Sequence, residues 1–177
     1  TVSDTVLTRF LEAQFAEGKA LAAQSDILEL QPLDGTPPRR FMAYYRAKGL
    51  AQTATNEIQI VSDCLAGIWF PDDYLVEVHP AHVLTYLGPH QRPWHPNLRA
   101  PHICAHIRPG TPLVQLLHTL FEIWTWQLYS TTDEGLNHAA SQWARHQDPQ
   151  RFPVDRRPLK RRTSSLKVLV RSGGSLP

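Results

Sequence analysis

Between Trp94 and Ile107 the chain reads W-H-P-N-L-R-A-P-H-I-C-A-H-I, bringing one of its two cysteines together with three histidines and an asparagine. A thiol becomes a nucleophile when ionised, an imidazole serves as base or ligand, and a side-chain amide can donate to an oxyanion. Pro96 biases His95 away from helix, and the segment stays short and turn-like up to Ile103-Cys104-Ala105, so Cys104 is expected on a loop. If the chain there is extended, His102, Cys104 and His106 point the same way, and either histidine could lower the thiol's pKa or deprotonate an incoming amine. The same trio, with His90 and His95 near it, offers ligands of the kind zinc accepts. A zinc-binding or non-catalytic interaction module built on His102, Cys104 and His106 is therefore an alternative, although the usual zinc-ligand spacings are absent. A cysteine hydrolase is a third reading, and it leaves Asn97 without a task.

His95-Pro96-Asn97, a spacer and then Ile103-Cys104 resembles the H-P-N … I-C motif of ubiquitin-conjugating enzymes. Upstream, Phe70-Pro71-Asp72-Asp73-Tyr74 is similar to that family's proline-tyrosine turn without its second proline. Downstream, Leu136-Asn137-His138-Ala139-Ala140 is similar to its L-N-x-x-A-A helix start. The likeness runs from about Val6 to Gln147. It departs at Pro101, where the family has glycine, at Ala105, where it has leucine, and in the reduced stretch Pro109-Gly110-Thr111-Pro112.

The resemblance implies a divergent bacterial member of a ubiquitin-like conjugation or antiviral-signalling system. Cys104 would accept a ubiquitin-like protein, or a nucleotidyltransferase C-terminus, as a thioester and pass it to an amine of a target protein. It places Cys104, Asn97 and His95 in the catalytic set with Asp133 as an auxiliary, to which the spacing about the thiol adds His102 and His106. Asn97 would donate to the oxyanion or order the loop, and His95 would tie the loop through hydrogen bonds. No cofactor is implied. The chain has no glycine-rich phosphate loop, so loading requires a separate adenylating enzyme, docked through the N-terminal helix.

Positioning such a loop takes an α+β scaffold. Val6, Leu7, Phe10, Leu11 and Phe15 recur at helical spacing, capped by Asp4 or Thr5 and weakened near Glu17-Gly18. Strands are predicted over Ile27–Leu30, Phe41–Lys48, Glu57–Ala66 and His82–Leu87, a four-stranded antiparallel meander with 49–56 as a loop. Cys64 then shares a face with Ile58 and Ile60 and behaves as a buried hydrophobe. Thr111 caps a helix opening at Pro112, with Leu113, Leu116, Leu117, Leu120, Trp124 and Leu128 as its apolar stripe. A further helix is predicted from Asp133 to His146, with Leu136, Ala140 and Trp143 inward.

The whole chain, 177 residues and 42% hydrophobic, fits one domain with a proper core. It contains no apolar run of membrane-spanning length and no signal-like start, so a cytoplasmic protein is expected, one that makes no use of a membrane. Two cysteines do not read as a disulfide framework. Residues 150–177 carry eight basic residues against Asp155 alone, a net of +7. That leaves 10 basic and 15 acidic residues, a net of −5, in positions 1–149. The sequence therefore divides into a catalytic-type domain, 1–149, and a basic, solvated tail, 150–177, with nucleic acid not expected as a partner. Leu166–Val170 is read as a strand, and Gly173-Gly174 is similar to a ubiquitin-like C-terminus, but three residues follow it and no ubiquitin-like domain precedes it, so self-processing there is not expected.

Overall fold

The computed structural model describes residues 2–132 and 135–161. The chain opens with α1 (Val2–Ala23) and continues through β1 (Leu28–Pro32), β2 (Arg40–Tyr45), β3 (Gly49–Gln52), β4 (Ile58–Val61) and β5 (Cys64–Trp69). A short α2 (Pro80–Val83) leads into β6 (Leu84–Gly88), followed by β7 (Arg92–Pro93), β8 (Leu98–Arg99) and β9 (His102–Ile103). Two helices close the fold, α3 (Leu113–Trp124) and α4 (His138–Arg145), with a 3-10 turn at Pro149–Arg151. The class is α+β, with antiparallel pairing throughout both sheets.

The main sheet has the order β1-β2-β5-β6-β9-β8. Its inner face carries Phe41, Ala43 and Tyr45 beside Cys64, Ala66 and Ile68, all buried, and strand alternation puts them on one side. Against this face lies α3, which buries Leu113, Leu116, Leu117, Leu120, Phe121, Ile123 and Trp124. At roughly 1.5–3 kcal/mol for each large side chain removed from water, this helix is the centre of the core. Two polar contacts fix its register on the sheet: Tyr45 donates to the Leu117 carbonyl at 2.9 Å, and Trp124 Nε1 donates to the Ala47 carbonyl at 2.8 Å.

Several expectations need correction. The stretch 49–56 is not only a loop, because Gly49–Gln52 forms β3. The strand predicted over Glu57–Ala66 is two strands, with β4 paired to β3 and β5 paired to β2. Ser62 and Asp63 break the run between them, so Ile58 and Ile60 do not share a face with Cys64, and Ile60 is exposed. His82 sits in α2 rather than at the start of β6. α1 runs unbroken through Gly18, because Leu113 and Leu30 pack directly onto its backbone.

Thr111 does not cap α3. Its hydroxyl donates back to the Arg108 carbonyl, and the first free N–H of the helix, that of Leu113, is taken by Gln14 Oε1 of α1 at 2.7 Å. α3 stops at Trp124, and Trp126 turns the chain with φ +63°, so Leu128 is exposed and Phe121 takes the core place predicted for it. α4 begins at His138, behind an Asn137 cap.

A second, smaller core lies beside the first, built from Leu50, Trp94, Trp126, Ala140, Ala144 and Phe152. Trp126 stacks on Phe152 at 4.7 Å and 9°, with Trp143 edge-on to both. The expected solvated tail therefore does not begin at 150, because residues 152–161 are packed on the domain. Phe152 and Leu159 are buried, Val154 donates to the Thr125 carbonyl, and the Arg161 backbone donates to the Gln24 carbonyl. Asp155, 4% exposed, accepts from the Lys48 N–H and from Arg157. The predicted strand Leu166–Val170 and the Gly173-Gly174 pair lie outside the described residues. Among the described residues, no helix is long and apolar enough to cross a membrane.

Candidate functional site

Residues 94–104 form a hooked excursion from the edge of the main sheet. Trp94 enters by donating its N–H to the Leu50 carbonyl at 2.9 Å. His95-Pro96-Asn97 then turns, with the Leu98 N–H returning to the His95 carbonyl. β8 and β9 pair Leu98 with Ile103 and Arg99 with His102, and His102 also pairs with Thr85 of β6. The loop is thus the last pair of strands of the sheet, with Leu98 and Ile103 anchoring it in the main core.

Cys104 follows directly and is exposed. Asn97 holds its main chain at both ends: the Cys104 N–H donates to the Asn97 carbonyl at 2.8 Å, and Asn97 Nδ2 donates to the Cys104 carbonyl at 3.0 Å. The Asn97 side chain therefore orders the loop, with one N–H of its amide engaged there and a second left over.

His95 is buried at 1% exposure, edge-on to Trp126 with ring centroids 4.6 Å apart. Its Nδ1 accepts the Asn97 N–H at 2.9 Å, which fixes the neutral ring with the proton on Nε2. Burial holds the imidazole far below its ordinary range, at about 3, against a weaker opposing pull from the Leu128 backbone. Among the described residues Nε2 has no hydrogen-bond partner, with the Leu128 backbone the polar group that acts on it. The ring is sealed from solvent and neutral at neutral pH, and its Nδ1 fastens the turn through the Asn97 N–H.

His102 and His106 are both exposed. His106 Nε2 accepts from Arg108 Nε at 3.2 Å, which occupies that nitrogen. Among the described residues, no group of three His, Cys, Asp or Glu side chains is arranged to hold a metal ion, and His102, Cys104 and His106 are not brought together as ligands. Asp133 lies outside the described residues. Cys64 is buried opposite Tyr45, and burial, with Asp63 adding to it, pushes its thiol far above the range in which it ionises.

Two supports of the site escaped the reading of the sequence. The Asn137 N–H donates to the Pro96 carbonyl at 3.0 Å while its side chain caps α4 at the Ala140 N–H, so one residue starts the helix and braces the turn. Gly135 lies so close to the turn that a Cβ there would fall 2.9 Å from the Pro96 carbonyl oxygen. The run Leu136-Asn137-His138-Ala139-Ala140 marked the place but not this role. No family model matches the chain, and no curated protein matches it.

Proposed function

We propose that the chain is an acyl carrier of the ubiquitin-conjugating type, taking the C-terminus of a ubiquitin-like protein, or of another protein, as a thioester on Cys104. The observation that carries this reading is an exposed thiol whose backbone is gripped at both ends by the asparagine of an H-P-N turn. The order helix, antiparallel strands, thiol loop, helices supports the same reading.

In loading, the Cys104 thiolate attacks the carbonyl carbon of an acyl group held as a thioester on an adenylating enzyme. A new C–S bond forms and the donor thiolate leaves. In discharge, a target amine attacks the same carbon, the C–S bond breaks, Cys104 leaves as thiolate and the amine's proton passes to water. On this reading the second N–H of the Asn97 amide, whose first is bonded to the Cys104 carbonyl, meets the oxyanion, a kind of contact commonly worth on the order of 10²- to 10³-fold in rate.

The test is a loading assay with the adenylating enzyme and ubiquitin-like protein of the native host. Wild type and Cys64→Ala should form an adduct that thiols release. Cys104→Ser should form an ester that resists thiols, and Cys104→Ala should form nothing. A thiol-sensitive adduct on Cys104→Ala sinks the proposal.

A further inference from the structure

A cleft of about 430 Å³ opens beside the thiol loop, where β7, β8 and the segment leading into α4 converge. Its walls are Pro93, Leu98 and Leu136, and its charge comes from Arg92 and Arg99, with His138 at the rim. No acidic side chain is among its lining residues. Four guanidinium groups of the chain meet a carboxylate: Arg39 meets Asp72, Arg46 meets Glu29, Arg157 meets Asp155 and Arg161 meets Asp26. Arg92 and Arg99 share one cleft, and the guanidinium group of neither has an acidic or hydrogen-bonding partner among the described residues. Two positive charges lining one cleft with no counter-charge among its walls favour an anion there, and guanidinium forks match phosphate oxygens two at a time.

We propose that this cleft binds a small phosphate monoester, whose charge of about −1.5 to −2 at neutral pH matches the two arginines and whose organic part rests on Pro93, Leu98 and Leu136. The volume lies within the range of small-ligand pockets, about 300–1,000 Å³. A carboxylate carries half the charge and leaves one guanidinium uncompensated. The site is independent of whether Cys104 carries an acyl group. It borders the thiol loop, because Leu98 and Arg99 pair with Ile103 and His102.

The test is a titration of the full chain, followed by amide NMR, with a ribonucleoside 5′-monophosphate, inorganic phosphate and the uncharged parent nucleoside. The expected result is saturable shifts at Arg99 and Ala139 with the monophosphate, weaker ones with phosphate, and none with the nucleoside. Arg92→Gln and Arg99→Gln should each weaken monophosphate binding by about tenfold while leaving the thermal midpoint unchanged. Raising the salt should weaken it further. No saturable shift by about 10 mM, equal binding of the nucleoside, or wild-type affinity in both variants would overturn the proposal.

Discussion

Burial separates the two cysteines: Cys104 is open to solvent, whereas Cys64 faces the core beneath Tyr45. Alkylation of native protein, read by intact mass, should therefore add one group, on Cys104, and a second only after denaturant. Two groups on the folded protein would contradict the structure. His95 gives a second prediction. In the unfolded chain an imidazole binds its proton below about 6.5, whereas the folded ring resists until about 3. The unfolded state holds the extra proton between those values, so stability falls as pH drops through that window, by roughly 1.4 kcal/mol per unit. His95→Gln keeps an acceptor for the Asn97 N–H and removes the titration. Its urea-unfolding free energy should vary less between pH 6 and pH 4 than that of wild type, and parallel profiles would refute the assignment. Asp155 acts lower on the scale. Burial alone would raise it, but its bonds to Arg157 and the Lys48 N–H hold it at about 2, so its contribution is lost only as pH falls from the ordinary carboxylate range toward 2.

Among the elements, β3 and the segment 152–161 carry the clearest consequences. A Cβ on Gly49 would fall 2.3 Å from Trp124 Cε2, against the face of a ring already fixed by its bond to the Ala47 carbonyl. Gly49→Ala should cost about 1–3 kcal/mol through overpacking, seen as a lowered urea midpoint with an unchanged slope. Asp155→Ala would strip the Lys48 N–H and Arg157 of their shared acceptor. A loss of about 1–3 kcal/mol is expected, and a change below about 0.5 kcal/mol would mean that the segment is held by its other contacts, the buried Phe152 and Leu159 and the main-chain bonds of Val154 and Arg161. These elements were the hardest to read from sequence. The helical spacing of α1 and most of α3 was visible because each has one long amphipathic face. β3 was hidden because Gly49, Ala51 and Gln52 carry little hydrophobic signal, and their burial comes from partners far along the chain. Trp126 was missed for a related reason, since its φ of +63° breaks the helical spacing that placed Trp124 and Leu128 on one stripe.

At the scale of the molecule, the thiol loop bridges two cores. Leu98 and Ile103 belong to the main one, whereas Trp94 belongs to the aromatic one, with His95 packed against Trp126. Phe152→Ala should therefore act at a distance. Loss of the stacked ring costs about 3–5 kcal/mol, and native-state hydrogen exchange should speed at Trp94 and Asn97 before it speeds in β2 and β5. Equal acceleration everywhere would mean that the two cores melt as one unit. The H-P-N turn and the thiol loop were legible because they depend on local residue types. The basic segment from 150 was misread because its composition is that of a solvated end, whereas two of its arginines reach backbone carbonyls far along the chain, Arg157 that of Arg46 and Arg161 that of Ala23.

The grip on Cys104 also sets how its sulfur can move. With the residue's own N–H and carbonyl both bonded to Asn97, backbone rotation there is held, and the sulfur keeps a single free torsion about Cα–Cβ, with three staggered positions. Under the proposed acyl transfer, a sulfur restricted to three places has little of its own motion left to search, so that share of the orienting entropy is met when the chain folds.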